Sequence, residues 1–131
     1  MVITPDGRTL IVAETFGYRL TAFDITYDGS LTSRRVWASL PEVASDGICL
    51  DAEGAIWVAT CSNEVIRVRE GGQIVDRVGV SARAFACMLG GAERRTLFIM
   101  AAESFNAEEV RAKRSGRIET ATVEIPGAGL P

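Results

Sequence analysis

The feature of this sequence that most narrows its fold is a short pattern that occurs three times along the chain. Each copy is a polar turn followed by an apolar segment that ends in alanine, and the copies lie at residues 5–13, 52–59 and 92–101. The alanines that end them, Ala13, Ala59 and Ala101, are 46 and 42 residues apart. A period of this length, built on short strands, is typical of the blades of a β-propeller.

Turn signals between the apolar segments predict up to four antiparallel strands in each repeat. Asp28-Gly29 and Gly71-Gly72 are dipeptides typical of tight turns between paired strands. In the first repeat they predict strands at residues 10–14, 19–25 and 31–38. In the second they predict strands at residues 47–51, 55–61, 64–69 and 73–80, and the third repeat has strand-like segments at 85–89, 96–101 and 117–125.

The predicted fold class is therefore all-β, a single partial propeller domain over residues 1–131 with three consecutive blades at about 1–40, 41–82 and 83–131. The first blade is expected to be short, because its inner strand would fall at or before Met1. The last blade is expected to be incomplete, because it has only three strand-like segments, two before and one after a polar stretch at residues 103–116. Within that stretch, Asn106 and Glu109 fit a helix cap and predict a short helix over Ala107–Lys113.

The residue types present argue against several classes of function. The chain has no histidine, which excludes histidine-dependent hydrolytic triads and histidine-ligated metal sites. Its net charge of −3 argues against nucleic-acid or membrane partners. The cysteines Cys49, Cys61 and Cys87 are odd in number and lie in or beside apolar segments. We therefore expect no disulfide framework and a reducing, cytoplasmic location.

The segment from Asp46 to Ala59 carries the most specific pattern. It resembles the P-D-G-x-x-x-D-x-x-G-x-[IL]-W-V-A stretch of the regucalcin (senescence marker protein)/gluconolactonase family, except that Ser45 stands where the family usually has proline. Residues 4–24, 85–91 and 116–131 resemble other segments of the same family, so the resemblance covers nearly the whole chain.

This resemblance implies the carboxyl-terminal half of a six-bladed propeller with one divalent cation in its central channel. It implies metal-dependent hydrolysis of a sugar lactone or related ester, with Asp46 as metal ligand and general base. Calcium is the first expectation for the cation, with zinc, magnesium or manganese as the others. The family's other two protein ligands would fall before Met1, so we expect this chain alone to bind the cation weakly or not at all.

The alternative interpretation is a non-catalytic half-propeller that binds a partner or assembles with itself. Half a ring leaves its first and last blades without neighbours. We therefore expect either a homodimer that completes a six-blade ring or a piece of a longer protein. On this interpretation Asp46-Gly47 is only a turn before a strand. Asp51 and Glu53 flank a turn, and on either interpretation we expect them to be solvated turn residues.

Three further residues are weaker candidates for contact with the substrate. Glu14 and Arg19 lie where one predicted strand ends and the next begins, which would place them at the mouth of the channel. The alternative for them is a surface ion pair across a hairpin. Phe85 would point into the channel or into the core. Cys61 has no histidine to activate it, so we expect a buried or half-buried, unreactive thiol.

Overall fold

The computed structural model describes residues 1–129 as three antiparallel sheets and one short α-helix. The first sheet contains β1 (Val2–Ile3), β2 (Thr9–Glu14), β3 (Arg19–Ile25) and β4 (Leu31–Ser39). The second contains β5 (Ile48–Leu50), β6 (Ile56–Ser62), β7 (Glu64–Val68) and β8 (Ile74–Gly79). The third contains β9 (Arg83–Gly90), β10 (Thr96–Ala102) and β11 (Arg117–Thr122). The all-β prediction is confirmed. Leu130 and Pro131, which end the third predicted unit, lie outside the described residues.

The three repeated segments become the second strand of their respective sheets. These strands are β2, β6 and β10, and each pairs with a neighbour on both sides. Val58 of β6, for example, lies opposite Ile48 of β5 and Ile66 of β7. A strand paired on both sides suits a continuous apolar segment, and this explains why the same pattern recurs at the same place in each sheet.

The first sheet has an inner strand within the chain, so the expectation that this strand falls at or before Met1 is wrong. Val2 and Ile3 pair with Ile11 and Leu10 of β2. The reason is a tight turn directly after Ile3, in which the Thr4 N–H donates to the Thr9 carbonyl at 2.9 Å. The resulting reversal brings even a two-residue segment onto β2.

The third sheet has three strands among the described residues, as predicted. The helix α1 (Ala107–Lys113) lies between β10 and β11, also as predicted. The side chain of Asn106 caps it by accepting hydrogen bonds from the N–H groups of Glu108 and Glu109. No helix in residues 1–129 is long and apolar enough to cross a membrane.

The second sheet lies between the other two, and the burial of β6 on both of its faces shows this arrangement. Ile56 and Val58 belong to one core cluster and Trp57 and Ala59 to another. The first cluster is completed by residues of the first sheet and of β7, including Ile11, Leu20, Trp37 and Ile66. The second is completed largely by residues of the third sheet, including Cys87, Leu89, Leu97 and Ile99. The three sheets therefore pack in chain order.

One face of the first sheet and one face of the third are not packed against another sheet in the described part of the chain. On the first sheet this open face carries Ile3, Leu10, Phe23 and Val36. On the third sheet it carries Met88, Phe98, Met100 and Ile118. Val36 is 58% exposed and Ile118 is 66% exposed. Both ends of the three-sheet stack thus present apolar side chains to solvent.

The prediction that Asp51 is a solvated turn residue is wrong. Its side chain is fully buried, and its Oδ2 accepts a 2.6 Å hydrogen bond from Arg67 Nε, which is also buried. Its Oδ1 accepts from the N–H groups of Glu53 and Ala55 at 2.9 and 3.0 Å. Glu53 is half exposed and receives the other end of the same guanidinium at 2.9 Å. Asp51 therefore joins a turn to the neighbouring strand β7.

Candidate active site around Asp46

Asp46 lies two residues before the start of β5, and it is exposed. Its N–H donates to the Ala59 carbonyl at 2.9 Å, and the Ala59 N–H donates to the Gly47 carbonyl at 2.9 Å. These two bonds continue the pairing of β5 with β6 for two residues beyond the strand. The backbone of Asp46 is thereby fixed, while its carboxylate stays accessible to a ligand.

Gly47 lets the second and third sheets approach each other beside Asp46. Its N–H donates to the Phe85 carbonyl at 2.9 Å. A Cβ atom at this position would lie 2.6 Å from the Ala86 Cα, closer than carbon atoms can approach. A side chain at position 47 would push β5 away from β9, so glycine is required by contact rather than by a turn.

A cavity of about 440 Å³ opens beside Asp46 and is shared by parts of all three sheets and their loops. The 3₁₀ turn after β2 contributes Thr15 and Phe16, and the loop before β5 contributes Glu42, Val43, Ala44 and Asp46. The second sheet contributes Thr60, Cys61, Ser62 and Glu64, and the third sheet and its loop contribute Arg83, Phe85 and Phe105. The lining therefore carries four charged side chains, Glu42, Asp46, Glu64 and Arg83, among aromatic, aliphatic and small polar ones.

Cys61 is the nearest thiol to Asp46, with its Sγ 4.0 Å from Asp46 Oδ2. The expectation of a half-buried thiol is confirmed. Burial, followed by the nearby Asp46 carboxylate, raises the pKa of Cys61, and Arg83 only partly opposes this. A raised pKa keeps the thiol protonated at neutral pH, which leaves it without nucleophilic character.

The structure brings Phe85 to Asp46 but places Glu14 and Arg19 outside this cavity. Phe85 lies in its wall, with its ring edge-on to that of Phe105 at a centroid distance of 6.5 Å. Arg19 Nη2 lies 2.7 Å from Glu14 Oε2 across the β2–β3 hairpin, and Arg34 contacts the other carboxylate oxygen at 3.0 Å. Hydrogen bonds from Arg19, and then from Thr21 and Arg34, lower the pKa of Glu14 to about 2. Contact of Glu14 and Arg19 with substrate stays a prediction.

Sequence reasoning did not single out Arg83, Phe16 or Phe105 as site residues. Arg83 is two residues before Phe85 on β9, and side chains two residues apart on a strand lie on the same face of the sheet. The prediction for Phe85 could therefore have been extended to Arg83. Phe16 and Phe105 lie in loops far apart in sequence, where no local pattern links either residue to Asp46.

The acidic and thiol side chains of residues 1–129 do not gather around Asp46 as a cation site. Within residues 1–129, no group of three or more Asp, Glu, Cys or His side chains is placed to hold a metal ion. Calcium takes six to eight oxygen ligands. Besides the Asp46 carboxylate, such an ion would need backbone or side-chain oxygens, water molecules, or ligands from outside this part of the chain.

Comparison with known proteins identifies similar sequences and folds. The family model described as the SMP-30/Gluconolactonase/LRE-like region matches residues 1–103. Regucalcin of Danio rerio is 32% identical, with 95% of this chain and 44% of the relative aligned. The crystal structure of a calcium-binding regucalcin from Agrobacterium tumefaciens has a TM-score of 0.76 at 22% identity, covering 98% of this chain and 46% of that one. A gluconolactonase from Xanthomonas campestris has a TM-score of 0.64 at 32% identity, covering 76% of this chain and 33% of that one. The chain spans less than half the length of each of these three proteins.

Proposed function

The chain belongs to the SMP-30/gluconolactonase/LRE-like family, and we propose on that basis that it forms part of a gluconolactonase-type hydrolase that opens a sugar lactone or a related ester. The observation that carries this proposal is the exposed Asp46 carboxylate, fixed through its backbone at the junction of the second and third sheets and facing a cavity of about 440 Å³. The family match favours this function over a non-catalytic module. The three sheets would then be three propeller blades, at about residues 1–40, 41–82 and 83–131.

We assign Asp46 the role of general base. Its carboxylate accepts a proton from water as the water oxygen bonds to the lactone carbonyl carbon. The ring carbon–oxygen bond then breaks, and the leaving oxygen takes up a proton to give the hydroxy acid. No arginine or lysine of residues 1–129 forms an ion pair with Asp46, so the carboxylate is free to act on water.

We further propose that a divalent cation, calcium before zinc, magnesium or manganese, binds at Asp46 only when additional ligands come from outside this chain. The support is the ligand count above, since one carboxylate leaves most of the coordination shell of calcium unfilled. The isolated chain would then bind the cation weakly or not at all.

The proposed source of those ligands is a second copy of this chain. The two open apolar faces lie at opposite ends of the three-sheet stack, so the first sheet of one copy can pack on the third sheet of the other twice around a two-fold axis. The chain covers 44% of the fish regucalcin and 46% of the bacterial one, so two copies would supply about nine-tenths of such a length. Two Asp46 carboxylates would then share one central channel.

A reducing, cytoplasmic location is also part of this proposal. Cys49 and Cys87 are buried free thiols whose sulfur atoms lie 3.9 Å apart, at the contact between the second and third sheets. Because disulfides form in oxidising compartments and are rare in reducing ones, two neighbouring cysteines that stay as thiols support this location.

The test combines light scattering with a lactone hydrolysis assay over a range of chain concentrations, with added cation or with EDTA. We expect a species of twice the 14.1 kDa chain mass and a cation-dependent rate that rises with its population. Asp46→Asn should abolish hydrolysis, and the matched control Asp76→Asn, at an exposed position on β8, should not. A monodisperse single chain at all concentrations would contradict the second copy, and an unchanged rate in Asp46→Asn would contradict the role of Asp46.

A further inference from the structure

Three of the five phenylalanines of the chain line the cavity beside Asp46. Phe85 is half-buried in the wall, and the ring of Phe105 meets it edge-on with an interplanar angle of 79°. Phe105 is 77% exposed and Phe16 is 91% exposed, so both rings present much of their surface to the solvent beside the cavity. Val43 and Ala44 add apolar surface from the loop before β5. Aromatic rings placed in this way pack well against another flat or apolar group.

Several polar side chains of the same lining already have partners within the protein. The Thr60 hydroxyl contacts the Ser62 hydroxyl at 2.7 Å and donates to the Glu64 carbonyl at 2.6 Å. The Glu64 carboxylate accepts two hydrogen bonds from Arg77, at 2.8 and 2.9 Å. Thr60 and Glu64 are therefore poorly available to a ligand, and the charged side chains left to it in the lining are Glu42, Asp46 and Arg83. A ligand with many hydroxyl groups would give up more hydrogen bonds to water on packing among the phenylalanine rings than an apolar ligand would.

We propose that this site prefers a lactone or ester with an apolar aryl or alkyl substituent over a polyhydroxylated sugar lactone. The inference rests on the proposed hydrolase function and names the substrate class for the same site. The reacting carbonyl would lie toward Asp46, and the substituent would pack among Phe16, Phe85 and Phe105. Phe105 and Phe16 are then specificity-determining residues, and they act by apolar contact.

The experiment measures binding in an Asp46→Asn background, so that turnover does not consume the ligand. Dihydrocoumarin, an aryl lactone, and glucono-δ-lactone are titrated separately into the chain and followed by NMR. We expect dihydrocoumarin to bind at least about tenfold more tightly, the discrimination that a small apolar contact provides. Phe105→Ser should remove most of this preference and Phe16→Ser part of it. Tyr27→Ser, at an exposed aromatic side chain in the turn between β3 and β4, is the matched control and should leave the preference unchanged.

The outcomes separate this inference from the proposed function. Selective binding of dihydrocoumarin by a chain that hydrolyses no lactone would support the apolar site and contradict the hydrolase. Equal affinities, or tighter binding of glucono-δ-lactone, would overturn the inference. It would also be overturned if Phe105→Ser altered the light-scattering mass while the ligand preference stayed the same, because the ring would then serve the contact between copies.

Discussion

Replacing Arg67 tests whether the buried ion pair with Asp51 holds the second sheet together. The Asp51 carboxylate is 0% exposed, and its two oxygens accept three hydrogen bonds in all, from Arg67 Nε and from the N–H groups of Glu53 and Ala55. Arg67→Ala removes the only one of these three donors that carries a positive charge. The carboxylate would then remain buried with two backbone amides as its hydrogen-bond donors.

Breaking a buried pair in this way costs about 3–5 kcal/mol of folding free energy, because the remaining charge has lost its compensation. The matched control is Arg77→Ala on β8. Arg77 also pairs with a carboxylate, since its Nη1 donates to both oxygens of Glu64 at 2.8 and 2.9 Å, but both side chains are substantially solvated. An exposed pair of this kind contributes about 0–1 kcal/mol. The double variant Asp51→Asn, Arg67→Met should recover most of the loss, since it removes both charges and keeps similar volumes.

The assay is urea unfolding followed by tryptophan fluorescence, because Trp37 and Trp57 are both buried and report on the two core clusters. All variants are compared at one chain concentration, since assembly would make the apparent stability depend on concentration. If Arg67→Ala and Arg77→Ala lower the unfolding free energy by the same amount within about 1 kcal/mol, water must reach Asp51 in the native state. The argument from burial would then be refuted.

Two further predictions follow from contacts elsewhere in the structure. Gly47→Ala should lower the unfolding free energy by about 1–3 kcal/mol and reduce any hydrolysis, since its Cβ would strike the Ala86 backbone. Gly79→Ala, with nothing within 4 Å, should change stability by no more than about 0.5 kcal/mol, and equal effects of the two in urea unfolding would refute the contact argument. The pKa of Glu14 falls from 4.5 to about 2 on folding, so its stabilising contribution is complete above pH 4.5 and is lost as the pH falls toward 2. Glu14→Gln should therefore flatten the loss of thermal stability over that pH range, and parallel melting curves for the variant and the parent would contradict this.

The sequence was most informative about elements whose causes are local. The second strand of each sheet was predictable because an apolar segment after a turn is complete within about ten residues, as in β6 with its Glu53-Gly54 turn. The helix α1 was predictable for the same reason, since Asn106 caps it from the adjacent position. The short strand β1 was missed because two residues carry too little periodicity, and only their pairing with β2 defines them.

Features that depend on distant partners were predicted poorly. Asp51 has the sequence surroundings of a solvated turn, and nothing local indicates that Arg67, 16 residues later on a neighbouring strand, covers its carboxylate. The cavity beside Asp46 joins Phe16, Phe85 and Phe105 from three separate regions of the chain. No single segment contains the information that brings these rings together.

Asp46-Gly47 shows how one dipeptide can suit two interpretations for different physical reasons. As a turn signal, the glycine would be needed for a positive φ angle, and Gly29 and Gly54 have that conformation at 84° and 77°. Gly47 does not; it is required because the Ala86 backbone lies where its side chain would be. The Gly47 N–H donates to Phe85, and its carbonyl accepts from the same Ala59 whose carbonyl receives the Asp46 N–H. Gly47 therefore takes part both in the contact with Ala86 that demands glycine and in the hydrogen bonds to Ala59 that hold the Asp46 backbone. A substitution that separated the two sheets at Gly47 would also disturb the backbone that carries the proposed base.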